Sequence, residues 1–524
     1  ELRVEAAPSL AAAILDGLKA MDSFPDDFTE PVLSRLLPNL ETYRILQDLG
    51  LDLPNLKEQL QKDIQDELQT VAESQNKDGG WGWSSSDASD PYLSAYALYG
   101  LARAGKVGVF VDAGLLSRAQ KYVQSGLVVP AKDTQVWMLD RLSFEVYALQ
   151  VSGSAVKDAG GLVSYWDRLS AWSKAMLALT LDLQKPGDPR SKDILSALET
   201  AAVRSSTGAF WDTDPDNNQV NYATANFTTA VVLTALAHFD PASPLAADGV
   251  RYLVAHRRFN GGWASSYETA WVLLALADTL QGTGDLQSSF TFSASLNGSP
   301  ILNGQAGGAN ALTPVDTSVP LSALNSPAPN ALTLVHDAGN GRLYYRAFLQ
   351  VDRPIETAPA LEQGISISRA YYAAGQDCRK SDCQPISTVS LAASNPTVLV
   401  RLTVTVPHML YSVVVEDFIP AGAEIVNLTL KTSPKRVSSD TPPTFDASDP
   451  FQSGWGGWFF GSPRIYDDHI RWVAASLPAG TYQLTYQVTP LLSGEFRLRP
   501  AHAYQFYFPD VEGSTTGAVF KITP

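Results

Sequence analysis

Near residue 285 the spacing of apolar residues changes period, and no other feature limits the fold more. Before that point apolar residues recur every three to four positions; after it they alternate. In "PSLAAAILDGLKAM" Ser9 reads as an N-cap after Pro8, with Leu10, Ile14, Leu18 and Met21 on one face. "PYLSAYALYGLARAG" opens with Pro91 in its first turn and closes at Gly105. "RLSFEVYALQVSG", "RLSAWSKAMLALTL", "ANFTTAVVLTALA" and "YETAWVLLALADTL" repeat the theme. About eleven or twelve Ala- and Leu-rich helices are expected between residues 9 and 283. The loops echo one another: "KDGGWGW" (77–83), "TGAFWDT" (207–213) and "FNGGWAS" (259–265). Recurring helix pairs of this kind predict an array or a closed α/α toroid, with small Ala faces letting two rings pack closely.

After residue 285, "SFTFSASLNGSPIL" reads as a hairpin with Asn-Gly at its turn. "VLVRLTVTV", "YSVVVEDFIPAG" and "TYQLTYQVTP" are strands; in the last, Tyr482, Leu484, Tyr486 and Val488 share one face. Proline-containing 351–364 reads as a linker between two β-domains. The opening "LRVEAA" is a lone strand ahead of a helical body, and a lone strand needs a sheet to join. The expected fold is therefore α+β and multidomain. Residues 1–8 supply the first strand of a β-domain, and 9–284 form a toroid inserted in it. Residues 285–358 complete that β-domain, and 359–524 form a C-terminal β-sandwich.

A chain of 524 residues suits two to four domains. A net charge of −16 argues against nucleic acid or anionic membrane as partner. The longest apolar runs are too short to span a bilayer. The first residue is Glu, which reads as a mature form or an excised fragment. Cys378 and Cys383 are the two cysteines, too few for a structural zinc site. A disulfide closing a hairpin tip is expected, which implies an extracytoplasmic protein; two surface thiols are the alternative.

Catalytic signatures are sparse. The six His begin at His238, and no HExxH, Gly-x-Ser-x-Gly or P-loop pattern occurs. Asp212, Asp214 and Asp216 have calcium-loop spacing but lack the following Gly, and position twelve is Ala223; a solvated loop is expected there, with no metal and no cofactor. "QNKDGGW" (75–81) fits the Gln-x-x-x-Gly-x-Trp motif of α/α-toroid terpene cyclases. The structural expectation is that Trp81 and Trp83 staple a loop to a helix pair. "FQSGWGGWFFG" (451–461) is either an exposed partner patch or a loop folded over the sandwich core.

The order of parts resembles the bacterial alpha-2-macroglobulin family over essentially the whole chain. Where that family reads Pro-Tyr-Gly-Cys-x-Glu-Gln-Thr-x-Ser-Arg, this chain has Pro25, Asp26, Asp27, Phe28, Thr29, Glu30, Pro31, Val32, Leu33, Ser34 and Arg35. Pro25, Glu30, Ser34 and Arg35 match. "QNKDGGWGW…DPYLSAYALYGLARAG", "YSVVVEDFIPAGAEIVN" and "GEFRLRPAHAYQFYFPDVEG" are also similar to the family's pattern. The resemblance implies a CUB-type β-domain interrupted by a thioester domain, then a macroglobulin or receptor-binding-type sandwich.

Phe28 stands at the family's thioester Cys and Pro31 at its Gln. Phe has no sulfur and Pro no carboxamide, so neither can supply its half of the bond. The resemblance implies a module of a broad-spectrum endopeptidase inhibitor that traps proteases sterically, in the periplasm or at the cell surface, anchored through a part not in this chain. It is not expected to be an enzyme. The alternatives are a scaffold for a cell-envelope protein, or a toroid cyclase or glycan-active enzyme with a deep acidic cavity. In the family a C-terminal segment reading roughly Pro-Ala-x-Ala-x-x-Met-Tyr-x-Pro covers the reactive bond. Here it is "PAHAYQFYFP", with Phe506 at the Met and Tyr507 at the Tyr. Phe28 is accordingly expected to be an apolar plug that meets Phe506 or Tyr507.

Overall fold

The computed structural model describes residues 1–21, 28–48, 53–84, 87–213, 219–283, 288–307, 310, 312–373, 384–394, 396–427 and 459–524. They divide into two units, Glu1–Gln350 and Val351–Pro524. Eleven α-helices lie among the described residues of the first: α1 (Leu10–Met21), α2 (Thr29–Asp48), α3 (Pro54–Glu73), α4 (Pro91–Lys106), α5 (Ala113–Gly126), α6 (Val136–Val151), α7 (Ala171–Gln184), α8 (Pro189–Ala201), α9 (Ala225–Phe239), α10 (Pro244–Ala255) and α11 (Ser266–Thr283).

Their packing closes a ring. Helix α2 meets α4, α4 meets α6, α6 meets α7, α7 meets α9, α9 meets α11, and α11 returns to α2. The outer helices α3, α5, α8 and α10 each pack on the inner helix next to them in sequence, and α1 on α11. Sequence patterning separates the two layers. Inner α4 buries every residue from Tyr92 to Ala102, so no polar face is left for water. Outer α3 buries only Leu60, Ile64, Glu67 and Val71, a single stripe at helical spacing. Side-chain caps begin several helices: Asp90 Oδ1 accepts from Leu93 N at 2.8 Å, and Ser9 Oγ from Ala12 N at 3.2 Å.

The opening strand Leu2–Ala7 lies between Val315–Val319 and Tyr344–Leu349, antiparallel to both, with Leu2 opposite Val319 and Leu349. The helical body is thus inserted between strands of one sheet. A second sheet orders Ser299–Ala306, Phe290–Leu296 and Leu332–His336. Its hairpin turns at Asn297-Gly298, both left-handed at φ 51° and 83°, as a two-residue hairpin loop requires. A half-buried ion cluster ties strand to helix: Arg346 Nη2 donates to Glu5 Oε2 (2.6 Å) and Asp16 Oδ2 (3.0 Å), and Arg257 Nη2 donates to the same Asp16 oxygen at 2.5 Å.

The second unit is a β-sandwich. One sheet orders Ser366–Ala373, Val398–Val406, Gly480–Pro490 and Ala423–Ile425. A second orders Arg464–Ile465, His469–Leu477, Leu410–Phe418, His502–Gln505, Glu512–Ser514 and Leu361–Gln363, and a small third orders Thr388–Ser390, Ala518–Thr523 and Gly494–Leu498. Strict alternation places Val398, Val400, Leu402, Val404 and Val406 fully inside. The face read from sequence, Tyr482, Leu484, Tyr486 and Val488, is buried with them. The expected linker 351–364 is shorter than the prolines suggested. Leu361–Gln363 pairs with Glu512–Ser514 as an edge strand, leaving the prolines outside the ladder.

Candidate functional site

Helix α2 starts at the positions singled out in the sequence. Phe28 immediately precedes it, and its carbonyl accepts the first helical bond from Val32 N at 3.2 Å. Thr29 N, which has no intrahelical partner, donates to Trp83 O at 3.0 Å. Pro31 lies in the first turn, where a missing N–H costs nothing. Phe28 is 6 % exposed, and its ring meets Trp83 at 5.4 Å between centroids. Of the two tryptophans expected to staple this loop, Trp81 clamps the α3–α4 pair and Trp83 reaches the start of α2 beside Phe28.

Beneath this turn lies a buried polar cluster. Glu30 is 1 % exposed. Ser34 Oγ donates to Glu30 Oε1, and Ser266 Oγ of α11 lies 3.1 and 3.0 Å from its two oxygens. Ser34 Oγ is also 3.1 Å from Tyr96 Oη of α4. Hydroxyl donors offset the cost of burying that carboxyl. Three helices of the inner ring are joined through two side chains of α2, Glu30 to α11 and Ser34 to α4. Arg35 turns the other way: its Nε is 3.8 Å from Glu67 Oε1 on α3. Of the four family-matching residues, Glu30, Ser34 and Arg35 therefore hold α2 in place, and Pro25 lies outside the described residues.

The ring centre is filled with aromatic side chains. The Tyr92 and Tyr267 hydroxyls are hydrogen-bonded to each other. Tyr96 meets Tyr267 at 5.2 Å, Tyr99 stacks on Trp271 at 5.4 Å, Phe144 meets Trp271 at 5.9 Å, and Phe227 meets Tyr267 at 5.2 Å. Burial pushes the phenol of Tyr92 far up, so it stays a neutral hydroxyl. The acidic cavity on which a cyclase reading depends is replaced by this packed layer.

The three echoing loops are one device used three times. Trp81, Trp211 and Trp263 are each at most 1 % exposed. Each indole Nε1 donates to a carbonyl of the preceding outer helix or its end: Val71 (2.8 Å), Leu198 (2.7 Å) and Leu253 (2.9 Å). Each tryptophan backbone N donates to a hydroxyl of the following inner helix: Ser94 (2.8 Å), Thr229 (3.1 Å) and Thr269 (2.9 Å). In the first and third loops Gly79 and Gly261 share φ +93°. Gln75 completes the first: its Nε2 donates to Gly79 O (3.0 Å) and Leu115 O (3.2 Å). The Gln-x-x-x-Gly-x-Trp motif is structural here.

In the second unit Phe506 N donates to Ser412 O at 2.9 Å, and the Phe506 and Tyr507 rings meet edge-on at 5.2 Å. Cys378 and Cys383 lie outside the described residues, as do Asp214 and Asp216; Asp212 is exposed. Of the aromatic run 451–461, Phe459 and Phe460 are described and pack edge-on against Tyr482. Among the described residues no group of three His, Cys, Asp or Glu could hold a metal, and no helix is long and apolar enough to cross a membrane.

Comparison with known proteins agrees with this architecture. Residues 364–510 match the Bacterial Alpha-2-macroglobulin MG10 domain, and residues 163–278 match the A-macroglobulin TED domain. The sandwich expected to be of macroglobulin or receptor-binding type is thus of the MG10 kind. The Alpha-2-macroglobulin of Thermotoga maritima is 25 % identical over 278 residues, which are 53 % of this chain and 15 % of that protein. Native alpha-2-macroglobulin of Escherichia coli, in a structure spanning domain MG7 to the C-terminus, superimposes with TM-score 0.70 at 17 % identity, over 100 % of this chain and 77 % of that one. Salmonella alpha-2-macroglobulin reacted with methylamine gives TM-score 0.69 at 18 % identity, over 100 % of this chain and 32 % of that one.

Proposed function

We propose that this chain, which belongs to the bacterial alpha-2-macroglobulin family, corresponds to its C-terminal region and lacks the thioester motif, is a module of a broad-spectrum endopeptidase inhibitor that traps proteases without a covalent bond. The observation that carries the reading is the start of α2. Its described polar framework is in place, with Glu30 bonded to Ser34 and Ser266, while Phe28 and Pro31 stand where the reactive pair would be. A side chain without sulfur and one without a carboxamide leave steric enclosure as the means of holding a protease. The packed aromatic centre of the ring supports a non-enzymatic body. Action outside the cytoplasm, in the periplasm or at the cell surface, is part of this proposal, as is the plug in which Phe28 meets Phe506 or Tyr507. Paired cysteines at 28 and 507 that cross-link under mild oxidation would support the plug, and failure to cross-link would count against it.

The test of the main reading uses the longest natural form of the protein that carries this chain. A protease incubated with it should keep its activity on small peptide substrates and lose it on large protein substrates. Equal inhibition of both, or of neither, would sink the reading.

A further inference from the structure

Helix α3 touches the rest of the first unit through a stripe of four buried residues, and one of them, Glu67, is an acid. The carboxyl is poorly matched by its neighbours. From α2, Asn39 Nδ2 is 3.3 Å from both oxygens and Arg35 Nε is 3.8 Å away, beyond hydrogen-bond reach. From α3 itself, Asp63 and Asp66 add like charge. Asp16 and Lys19 of α1 line the same crevice of about 600 Å³, and among the described residues its remaining wall at 312–314 carries no titratable group. That crevice gives water, and hence protons, access to Glu67. Burial raises its pKa to about 8.

The far end of α3 bears on the site. Val71 O accepts the Trp81 indole, and two residues on, Trp83 covers Phe28 and accepts from Thr29 N. We propose that α3 is a proton-dependent clasp: while Glu67 keeps its proton the helix stays docked on α2, and losing that proton loosens α3 together with the Trp81–Trp83 loop over Phe28. The inference stands independently of protease trapping.

The sign follows from linkage. Docked α3 holds a proton that released α3 gives up, so docking is strongest below the ordinary carboxylate range. It weakens as pH rises towards the docked value, by at most about tenfold per pH unit. Hydrogen exchange on the intact chain, corrected for intrinsic rates, reads this directly. Between about pH 5 and about pH 8 the protection of amides in α3 and in residues 79–83 should fall by at least about tenfold. Helix α10, whose one acid Asp248 pairs with Arg204 and Arg251 at the surface, should lose clearly less protection than α3. Glu67→Gln, an uncharged isostere, should make α3 insensitive to pH. Unchanged protection of wild-type α3 across this range would overturn the proposal even if the variant failed to fold. So would a Glu67→Gln profile that falls like wild type, or a loop 79–83 that keeps its protection while α3 loses it.

Discussion

At the scale of single residues, the start of α2 combines the Glu30–Ser34–Ser266 framework with a pair of side chains that cannot form a thioester. Thioester formation needs a thiol to displace ammonia from a carboxamide three residues on, and Phe28 and Pro31 supply neither. Methylamine should add no mass to residues 24–35, and mass spectrometry after digestion checks this. Phe28→Cys alone should also give no adduct, because Pro31 still lacks the carboxamide; an adduct is expected only from Phe28→Cys combined with Pro31→Gln. Phe28 is also a packing residue. Removing its ring should leave a cavity against Trp83 and cost roughly 3–5 kcal/mol in denaturant unfolding, with a change in tryptophan emission. A cost near zero would mean that the ring contributes little to the core. Phe28 and Pro31 were legible in the sequence because a resemblance fixed their positions. Ser266 and Tyr96, the partners that hold Glu30 and Ser34, were not. They lie 236 and 62 positions from those residues in the chain, and a buried Ser or Tyr carries no local pattern.

At the scale of elements, most of the architecture was legible because burial imposes periods of 3.6 and 2 on the chain. The lone first strand announced the insertion, since an unpaired strand must find a sheet. The tryptophan loops were legible only as an echo. That each indole clamps the outer helix, and each backbone N the inner one, depends on hydroxyls 13, 18 and 6 positions downstream, a spacing too irregular to read as a motif. Trp211→Phe keeps only a smaller aromatic ring: it leaves the Leu198 carbonyl buried without its donor and removes buried volume, so at least about 1–3 kcal/mol should be lost. Gly261→Ala should cost at least as much for another reason. At φ +93° a Cβ is disfavoured, and it would come within 2.6 Å of Asp16 Oδ2, which Arg257 and Arg346 hold in place. Thermal or denaturant unfolding of each variant decides both. If neither moved the transition, the loops would be connectors only.

At the scale of the whole chain, the two units differ in how they store buried charge. The first places several carboxyls where desolvation dominates. Glu145 of α6, which has Arg141 Nε 3.3 Å from one oxygen, is raised by burial to about 8. Asp140 is raised by burial to about 6 although Ser170 donates to it twice, and burial likewise raises Asp278 to about 6. In the second unit Asp417 is raised by burial, but Arg369 Nη1 at 2.5 Å and Tyr486 Oη at 2.7 Å hold its two oxygens. An acid whose folded pKa lies above its unfolded value stabilises the fold fully below the unfolded value. That contribution is lost as pH rises towards the folded value. The first unit should therefore lose stability on going from about pH 5 to about pH 8, by an amount on the order of a few kcal/mol. The second unit should change less, since Arg369 and Tyr486 donate to both oxygens of Asp417. Calorimetry across that range should show the transition of the first unit moving to lower temperature, with that of the second moving less. Glu145→Gln should flatten the slope, because the amide stays neutral and Arg141, 18 % exposed, can turn to water. A first-unit transition that rises with pH over the same range would show that these carboxyls are ionised in the fold and held by their partners.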